Sequence, residues 1–140
     1  MGVQVTNNLK WEEQANLAAS KAKRIFGVLK KAFKCWDPNM TRKLYSAYIR
    51  PHLEYANSVW NSYTNVDVSV MEKVQRKVTK MAVGLKNKDY SERLKALNLS
   101  TLSERRERGD AIQLFRIVNG QNKVNWCKPM IQVPSFEQSV

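Results

Sequence analysis

Apolar residues recur at helical spacing over the first third of the chain, between Glu12 and Lys34. They are Ala15, Ala18, Ala22, Ile25, Phe26, Leu29, Ala32 and Phe33. Glu12 and Glu13 would lie at the positive end of such a helix and lysines at its negative end, which favours the helix electrostatically. The pattern predicts one long amphipathic helix over this span. Before it, Gly2 to Thr6 alternates like a short strand, and Asn7-Asn8 is typical of a turn.

The middle of the chain predicts further helices. Asp37 followed by Pro38 combines an N-cap residue with a proline suited to the first helical position, so a helix should begin there. Pro51 is expected to kink or divide it, because proline lacks the backbone N–H. A second helical piece is predicted from His52 to Trp60. After a polar loop, Asp67 is predicted to cap a helix that ends at Gly84.

Two more helices are predicted towards the C-terminus. Tyr90 to Leu97 forms a short amphipathic pattern, and the sequence from Thr101 to Glu104 is a capping box that should open a helix reaching Val118. Residues 121–140 contain two prolines and little periodicity, so we expect an extended or disordered tail.

These patterns predict a mainly α fold, a compact bundle of about five helices with a short N-terminal β-strand remnant. Residues 1–11 would form the strand and turn, residues 12–120 the helical domain and residues 121–140 the tail. A chain of 140 residues is long enough for one such domain with a modest core.

Charge narrows the range of partners. The chain carries 24 Lys and Arg against 12 Asp and Glu, for a net charge of +12, which favours a polyanion such as nucleic acid. The same excess of positive charge would also favour binding to an anionic membrane surface. The two cysteines, Cys35 and Cys127, show no metal or disulfide spacing, and no secretory signal or membrane-spanning run is seen. We therefore expect an intracellular protein, nuclear or cytoplasmic, that is not secreted.

Two basic helical faces are the candidate binding surfaces. In the first helix Lys23, Gly27, Lys30 and Lys34 share one face by spacing. In the helix from Asp67 to Gly84, the cations Lys73, Arg76, Lys77 and Lys80 point away from an apolar line, and Gln75 and Thr79 are expected to donate to phosphate or base edges. Solvated faces without a ligand are the alternative, although such faces usually mix charges of both signs.

Other candidate groups favour structural roles. The arginines of the last helix, Arg105, Arg106 and Arg108, alternate with acids, which favours pairing within that helix. The rings at Tyr45, Tyr48 and Tyr55, with His52, could stack on bases but are more typical of a core. The first six residues also fit an N-myristoylation pattern, but so short a pattern arises by chance, and we do not expect a membrane partner.

No catalytic arrangement is found. The sequence has a single histidine, His52, and contains neither a glycine-rich phosphate loop nor paired aspartates of the kind that hold two metal ions. We expect no catalytic residue, no metal and no cofactor in this chain.

Several ordered blocks carry a family resemblance. They are Leu9-Lys10-Trp11, Lys-Ala-x-x-x-x-Gly-x-Leu-x-Lys at Lys21 to Lys31, Leu-Tyr-x-x-x-x-Arg-Pro-His-Leu-Glu-Tyr-Ala at Leu44 to Ala56, Glu-Lys-Val-Gln-Arg-x-x-Thr-Lys at Glu72 to Lys80, Tyr-x-Glu-Arg-Leu-x-x-Leu-x-Leu at Tyr90 to Leu99 and Leu-x-x-Arg-Arg-x-Arg-Gly-Asp at Leu102 to Asp110. Together they resemble the region after the palm in reverse transcriptases of jockey-like, non-LTR (LINE-type) retrotransposons.

The resemblance implies the thumb and adjoining connection of an RNA-directed DNA polymerase, which grips the template–primer duplex while the palm performs the chemistry. The implied partners are an RNA–DNA hybrid or RNA, contacted at its phosphates, and a palm domain in trans. The matched blocks do not include the palm's metal-binding aspartates, and Gln14 stands where the family usually has histidine.

A helical protein-interaction module is the other hypothesis. Apolar residues near the N-terminus, including Val3, Val5 and Trp11, would then pair with another chain or with a second copy. That hypothesis predicts dimers with little affinity for RNA.

Overall fold

The computed structural model describes Gly2, Val3, Asn7 and residues 11–55 and 64–122, and these residues are mainly helical. The helices are α1 (Glu12–Ala32), α2 (Pro38–Leu44), α3 (Arg50–Glu54), α4 (Asn65–Thr79), α5 (Tyr90–Leu97) and α6 (Leu102–Val118), with a π-helical turn (Tyr45–Ile49) joining α2 to α3. Gly2 and Val3 lie outside any strand. The rest of the predicted strand and the tail from residue 123 lie outside the described residues.

Small residues on α1 position it against α4. Ala15, Ala18, Ala19 and Ala22 are buried in one cluster with Met71, Val74 and Val78 of α4. Alanine side chains allow two helices to approach closely, because little side-chain volume separates the backbones. The pairing of α1 with α4 therefore fixes the outer faces of both helices side by side.

The segment from α2 to α3 buries a continuous stripe through a π-helical turn. Thr41, Tyr45, Ile49 and Leu53 follow one another at intervals of four and are all buried. Such a stripe drifts by about 40° per step around an α-helix of 3.6 residues per turn. The π-helical turn counters this drift, and Arg50 N–H donates to the Tyr45 carbonyl five residues earlier. The disturbance expected at Pro51 thus lies in the turn before it.

Three predicted helix ends differ from the structure, and two of them lie in the first half of the chain. The helix predicted to run to Trp60 ends at Glu54, and residues 56–63 lie outside the described part of the chain. The first helix ends at Ala32 rather than Lys34, and Phe33 is extended. Trp36 causes this earlier end, because it folds back to pack edge-on against Phe26 and donates its indole N–H to the Phe33 carbonyl.

Helix α4 begins three residues before the predicted position. Thr64 is its N-cap and accepts a hydrogen bond from Asp67 N–H at 3.3 Å, while its hydroxyl donates to the Asp67 carboxylate at 2.6 Å. Asp67 therefore lies inside the first turn. The helix ends at Thr79, and turns lead on to Gly84, whose positive φ of 77° suits glycine.

The predictions for the last two helices are confirmed. Helix α5 is capped by Asp89 and ends at Asn98, which takes the left-handed conformation. Helix α6 starts with the predicted capping box, in which Thr101 accepts from Glu104 N–H and the Glu104 carboxylate accepts from Thr101 N–H. It ends at Val118, before Asn119 and Gly120. The predicted mainly helical fold is thus confirmed for the described residues.

Candidate nucleic-acid interface

The outer face of α4 carries four exposed cations over two helical turns. They are Lys73, Arg76, Lys77 and Lys80. Beneath them, Met71, Val74 and Val78 are fully buried against the core. The apolar stripe fixes the rotation of α4, so all four cations point to solvent, as the sequence predicted.

A fifth cation reaches the same place from α1. Lys23 follows the buried Ala22 and lines a cleft of about 240 Å³ together with the four cations of α4. Five of the seven predicted binding residues are therefore brought together, although Lys23 is fifty residues away from Lys73 in the chain. Among the described residues, no carboxylate lines this cleft.

The two remaining predicted residues lie apart from this cleft. Lys30 is exposed in the last turn of α1, and Lys34 lies beyond the helix end. The prediction that Lys34 shares a helical face with Lys23 is wrong, because Phe33 has already left the helix. Neither Lys30 nor Lys34 lines the cleft.

A second cleft extends the surface along α4 towards its N-terminus. It has a volume of about 310 Å³, and Asn65, Ser69, Glu72, Lys73 and Arg76 are among its lining residues. Lys73 and Arg76 line both clefts, so the two form one groove, called here the α4 groove. Its positive end lies at Lys80 and its neutral polar end at Asn65.

Glu72 is the carboxylate that borders the α4 groove, and it has two structural donors. One carboxylate oxygen accepts a short hydrogen bond from the Tyr90 hydroxyl, and the other accepts from Leu102 N–H at 3.2 Å. Glu72 therefore ties α5 and the start of α6 to α4. Burial, followed by the hydrogen bond to Glu72, raises the pKa of Tyr90 well above its usual value.

Tyr90 also holds one of the cations. The guanidinium carbon of Arg76 lies 4.3 Å from the centroid of the Tyr90 ring, within the range of a cation–π contact. This contact restricts the flexible arginine while leaving it exposed at the edge of the groove. Nothing in the spacing of residues 76 and 90 in the sequence indicates that they meet.

The two neutral donors predicted for nucleic acid are buried instead. Gln75 and Thr79 have no exposed surface. The Gln75 amide accepts from the Tyr45 hydroxyl at 2.6 Å and donates to the Ser100 carbonyl at 2.9 Å. The Thr79 hydroxyl donates to the Arg76 carbonyl. Both are corrected to structural residues, because they lie on the buried side of α4 next to Val74 and Val78.

The arginines of α6 pair differently from the prediction. Arg105 forms a bidentate ion pair with Glu54 of α3, with N···O distances of 2.6 and 3.2 Å. Arg106 is 4% exposed, contacts the Met71 sulfur, and has its pKa lowered by burial. The partner of Arg105 lies on another helix, so pairing within α6 is wrong for that residue, whereas Arg106 also interacts electrostatically with Asp110, four residues further along α6.

The aromatic residues divide between core and surface. Tyr45 is 1% exposed, whereas Tyr48 and Tyr55 are 56% and 45% exposed. Burial and the nearby Glu54 charge raise the pKa of Tyr45 well above its usual value. The core interpretation is therefore right for Tyr45 and wrong for Tyr48 and Tyr55.

Two negative findings concern the described part of the chain. Within residues 11–55 and 64–122 no group of three or more His, Cys, Asp and Glu side chains is arranged to hold a metal ion. Among the same residues, no helix combines the length and apolar character needed to cross a membrane.

Comparisons with protein-family models, with curated protein sequences and with solved structures found no match to this chain.

Proposed function

We propose that this chain binds nucleic acid through the α4 groove, as a thumb-like fragment of a non-LTR retrotransposon reverse transcriptase. The observation that supports the proposal most is the meeting of Lys23 from α1 with four cations of α4 around one cleft. A helix face that is merely solvated does not require a cation from a second helix. The sequence blocks that resemble the polymerase family support the same function.

The binding mechanism is neutralisation of backbone phosphates. Lys73 and Lys80 are separated by seven residues, or about 10 Å along the helix, so the cluster spans several successive phosphates of one strand. Each phosphate that is neutralised releases condensed counterions, which provides the free energy of binding and makes it dependent on salt.

Sequence specificity is expected to be low. Phosphate contacts made by lysine and arginine carry no sequence information. Gln75, the amide predicted to donate to base edges, is engaged inside the core. The partner is therefore an RNA–DNA hybrid or a structured RNA recognised by its backbone. This function requires no catalytic group in the chain, and the chemistry would belong to a palm domain acting in trans.

Charge-matched variants test the proposal. In one variant Lys73, Lys77 and Lys80 are changed to Gln, and in the control the exposed lysines Lys86, Lys88 and Lys95 are changed to Gln. Both lose three positive charges without touching the core. Fluorescence anisotropy with an RNA–DNA hybrid, duplex DNA and single-stranded RNA should show that the first variant loses roughly tenfold or more in affinity. Equal losses in both variants would refute a localised site.

A protein-interaction module is a second candidate, supported by a different surface from the one the sequence predicted. Val3 and Trp11 pack against the core, and Val5 lies outside the described residues. Instead, the second half of α6 exposes apolar side chains. Leu114, Phe115 and Val118 are 60%, 61% and 62% exposed, and Ile112 is 47% exposed.

Such a contiguous apolar face is typical of an interaction surface. If it pairs two copies, light scattering should give a dimer, and changing Leu114 and Phe115 together to Glu should give a monomer. A wild-type chain that remains monomeric at high concentration would contradict self-association.

A further inference from the structure

A second basic cleft lies on α2 and the π-helical turn, and it shares no residue with the α4 groove. It has a volume of about 380 Å³ and is lined by Asn39, Arg42, Lys43, Ser46 and Arg50. We propose that this cleft, called here the α2 cleft, is a separate binding site for phosphate groups.

The fold brings these side chains to one face. Thr41, Leu44, Tyr45 and Ile49 of the same segment are buried, so Arg42, Lys43 and Ser46, which lie between them in sequence, face outward. Arg42, Ser46 and Arg50 follow at intervals of four, as the buried stripe does. The π-helical turn that keeps the stripe buried therefore also keeps Arg50 in line with Arg42 and Ser46.

The exposed cations of the α2 cleft differ from the arginines of α6, which are engaged in contacts within the fold. Arg105 is paired with Glu54, and Arg106 is buried beside Met71. Within the described residues, by contrast, Arg42 and Lys43 are exposed and have no carboxylate partner. Asp37, the nearest acid in sequence, accepts a hydrogen bond from Met40 N–H as the cap of α2.

Arg50 is partly held in place. Its guanidinium carbon lies 5.9 Å from the centroid of the buried Tyr45 ring. The Tyr45 hydroxyl in turn donates to Gln75, so the ring beneath Arg50 is fixed from the opposite side of the core. A guanidinium on a fixed aromatic ring is better ordered than one on a free side chain.

The donor set matches phosphate chemistry. Two guanidinium groups present planar pairs of N–H donors that suit phosphate oxygens, and the lysine adds a point charge. Asn39 and Ser46 add neutral donors. Three cations without a lining carboxylate would repel one another, and a phosphate oxyanion relieves that repulsion. The volume is sufficient for a pyrophosphate or a nucleotide.

The phosphate could belong to a free phosphate compound or to a nucleic-acid backbone, and amine footprinting separates these sources. The full chain is treated with a lysine-specific acylating reagent under three conditions: without ligand, in the presence of pyrophosphate, and in the presence of an RNA–DNA hybrid. Acylation of each lysine is then quantified from its peptide by mass spectrometry. Lys43 reports the α2 cleft, Lys77 the α4 groove, and Lys86 an exposed control position. If the proposed function of the α4 groove fails, the hybrid will not protect Lys77 from acylation. If the proposal for the α2 cleft fails, it is Lys43 that will remain unprotected.

We expect acylation of Lys43 to slow several-fold in at least one ligand arm, and this protection to disappear in Arg42→Gln but persist in the control variant Lys88→Gln, at another exposed position. Protection by pyrophosphate would identify free phosphate groups as sufficient, and protection by the hybrid alone would identify the nucleic-acid backbone. If Lys43 were protected no more than Lys86 in both arms, or equally in Arg42→Gln, the proposal would be overturned.

Discussion

Arg76 of α4 lies over the aromatic ring of Tyr90 of α5, with its guanidinium carbon 4.3 Å from the ring centroid. The same tyrosine donates its hydroxyl hydrogen bond to Glu72, one turn before Arg76 on α4. A single side chain therefore joins α5 to α4 and orders a cation at the edge of the candidate interface.

The ring and the hydroxyl of Tyr90 can be tested separately. Tyr90→Phe keeps the surface under Arg76 and loses the bond to Glu72, so it should lower the free energy of unfolding by about 1 kcal/mol with little change in affinity. Tyr90→Leu loses the cation–π contact as well, and affinity for an RNA–DNA hybrid should fall about two- to fivefold. Denaturant titration and fluorescence anisotropy measure the two effects. Equal affinities of the Phe and Leu variants would show that the contact does not position Arg76 for binding.

Changing Glu72 to Gln should move stability and affinity in opposite directions. In glutamine an NH2 group replaces one of the two carboxylate oxygens, so the Tyr90 hydroxyl and Leu102 N–H can no longer each donate to an oxygen of their own. We expect a loss of about 1 kcal/mol in stability, even if the Tyr90 hydroxyl turns to accept from the amide. Removal of a negative charge beside Lys73 and Arg76 should raise affinity for the hybrid up to about fivefold. Glu92→Gln, at an exposed position on α5, is the control and should change neither quantity much. A decrease in affinity for Glu72→Gln would contradict this account of the groove.

Gln75 should affect stability alone. Gln75→Leu leaves the Tyr45 hydroxyl and the Ser100 carbonyl without their partner, which should cost about 1–3 kcal/mol. Because the side chain is fully buried, affinity of the folded variant for nucleic acid should remain at the wild-type value. Thermal unfolding and a titration well below the melting temperature check both statements. A marked loss of affinity in the folded variant would restore Gln75 as a contact residue.

Alkaline pH should destabilise the protein through its two partly or wholly buried tyrosines. Burial raises the pKa of Tyr45 and Tyr90 in the folded state, whereas both have a pKa of about 10 when unfolded. Ionisation of the unfolded chain therefore draws the equilibrium towards unfolding as the pH rises above about 10, and the stability is fully present below that pH. Each tyrosine that stays neutral in the fold contributes a slope of up to about 1.4 kcal/mol per pH unit.

The comparison of wild type with Tyr90→Phe isolates this effect from lysine titration. The free energy of unfolding of the variant should fall less steeply above pH 10. Identical slopes for the two proteins would mean that Tyr90 ionises as readily in the folded state as in the unfolded one.

Local signals made several elements predictable. The Asp37-Pro38 start, the Tyr90 to Leu97 pattern and the Thr101 capping box depend on residues close together in sequence, and the structure has helices at each. Helix α4 starts earlier than the Asp67 signal predicts, because the Thr64 hydroxyl caps it and donates to the Asp67 carboxylate inside the first turn. The π-helical turn was not predictable from Pro51 alone, since it also depends on burying Ile49 and Leu53 with Tyr45.

The sequence predicted which cations of the candidate interface are exposed, but not that cations from α1 and α4 lie around one cleft. Lysines that recur on one face of α4 showed which side chains are exposed. Lys23 joins the cations of α4 because four alanines of α1 allow the two helices to approach closely, and this is a property of tertiary packing. Gln75 was misassigned for a related reason, because polar side chains on a helix can be buried when another element supplies their partners.

The salt dependence of binding tests the central claim most directly. The affinity for an RNA–DNA hybrid should be measured over a range of salt concentrations for wild type, for Lys73, Lys77 and Lys80 changed to Gln, and for Lys86, Lys88 and Lys95 changed to Gln. If the α4 groove binds the phosphates, the slope of log affinity against log salt concentration should be smaller in magnitude by about 2–3 in the first variant than in wild type. The slope of the second variant should equal that of wild type. Equal slopes in all three proteins, with measurable binding, would contradict the account.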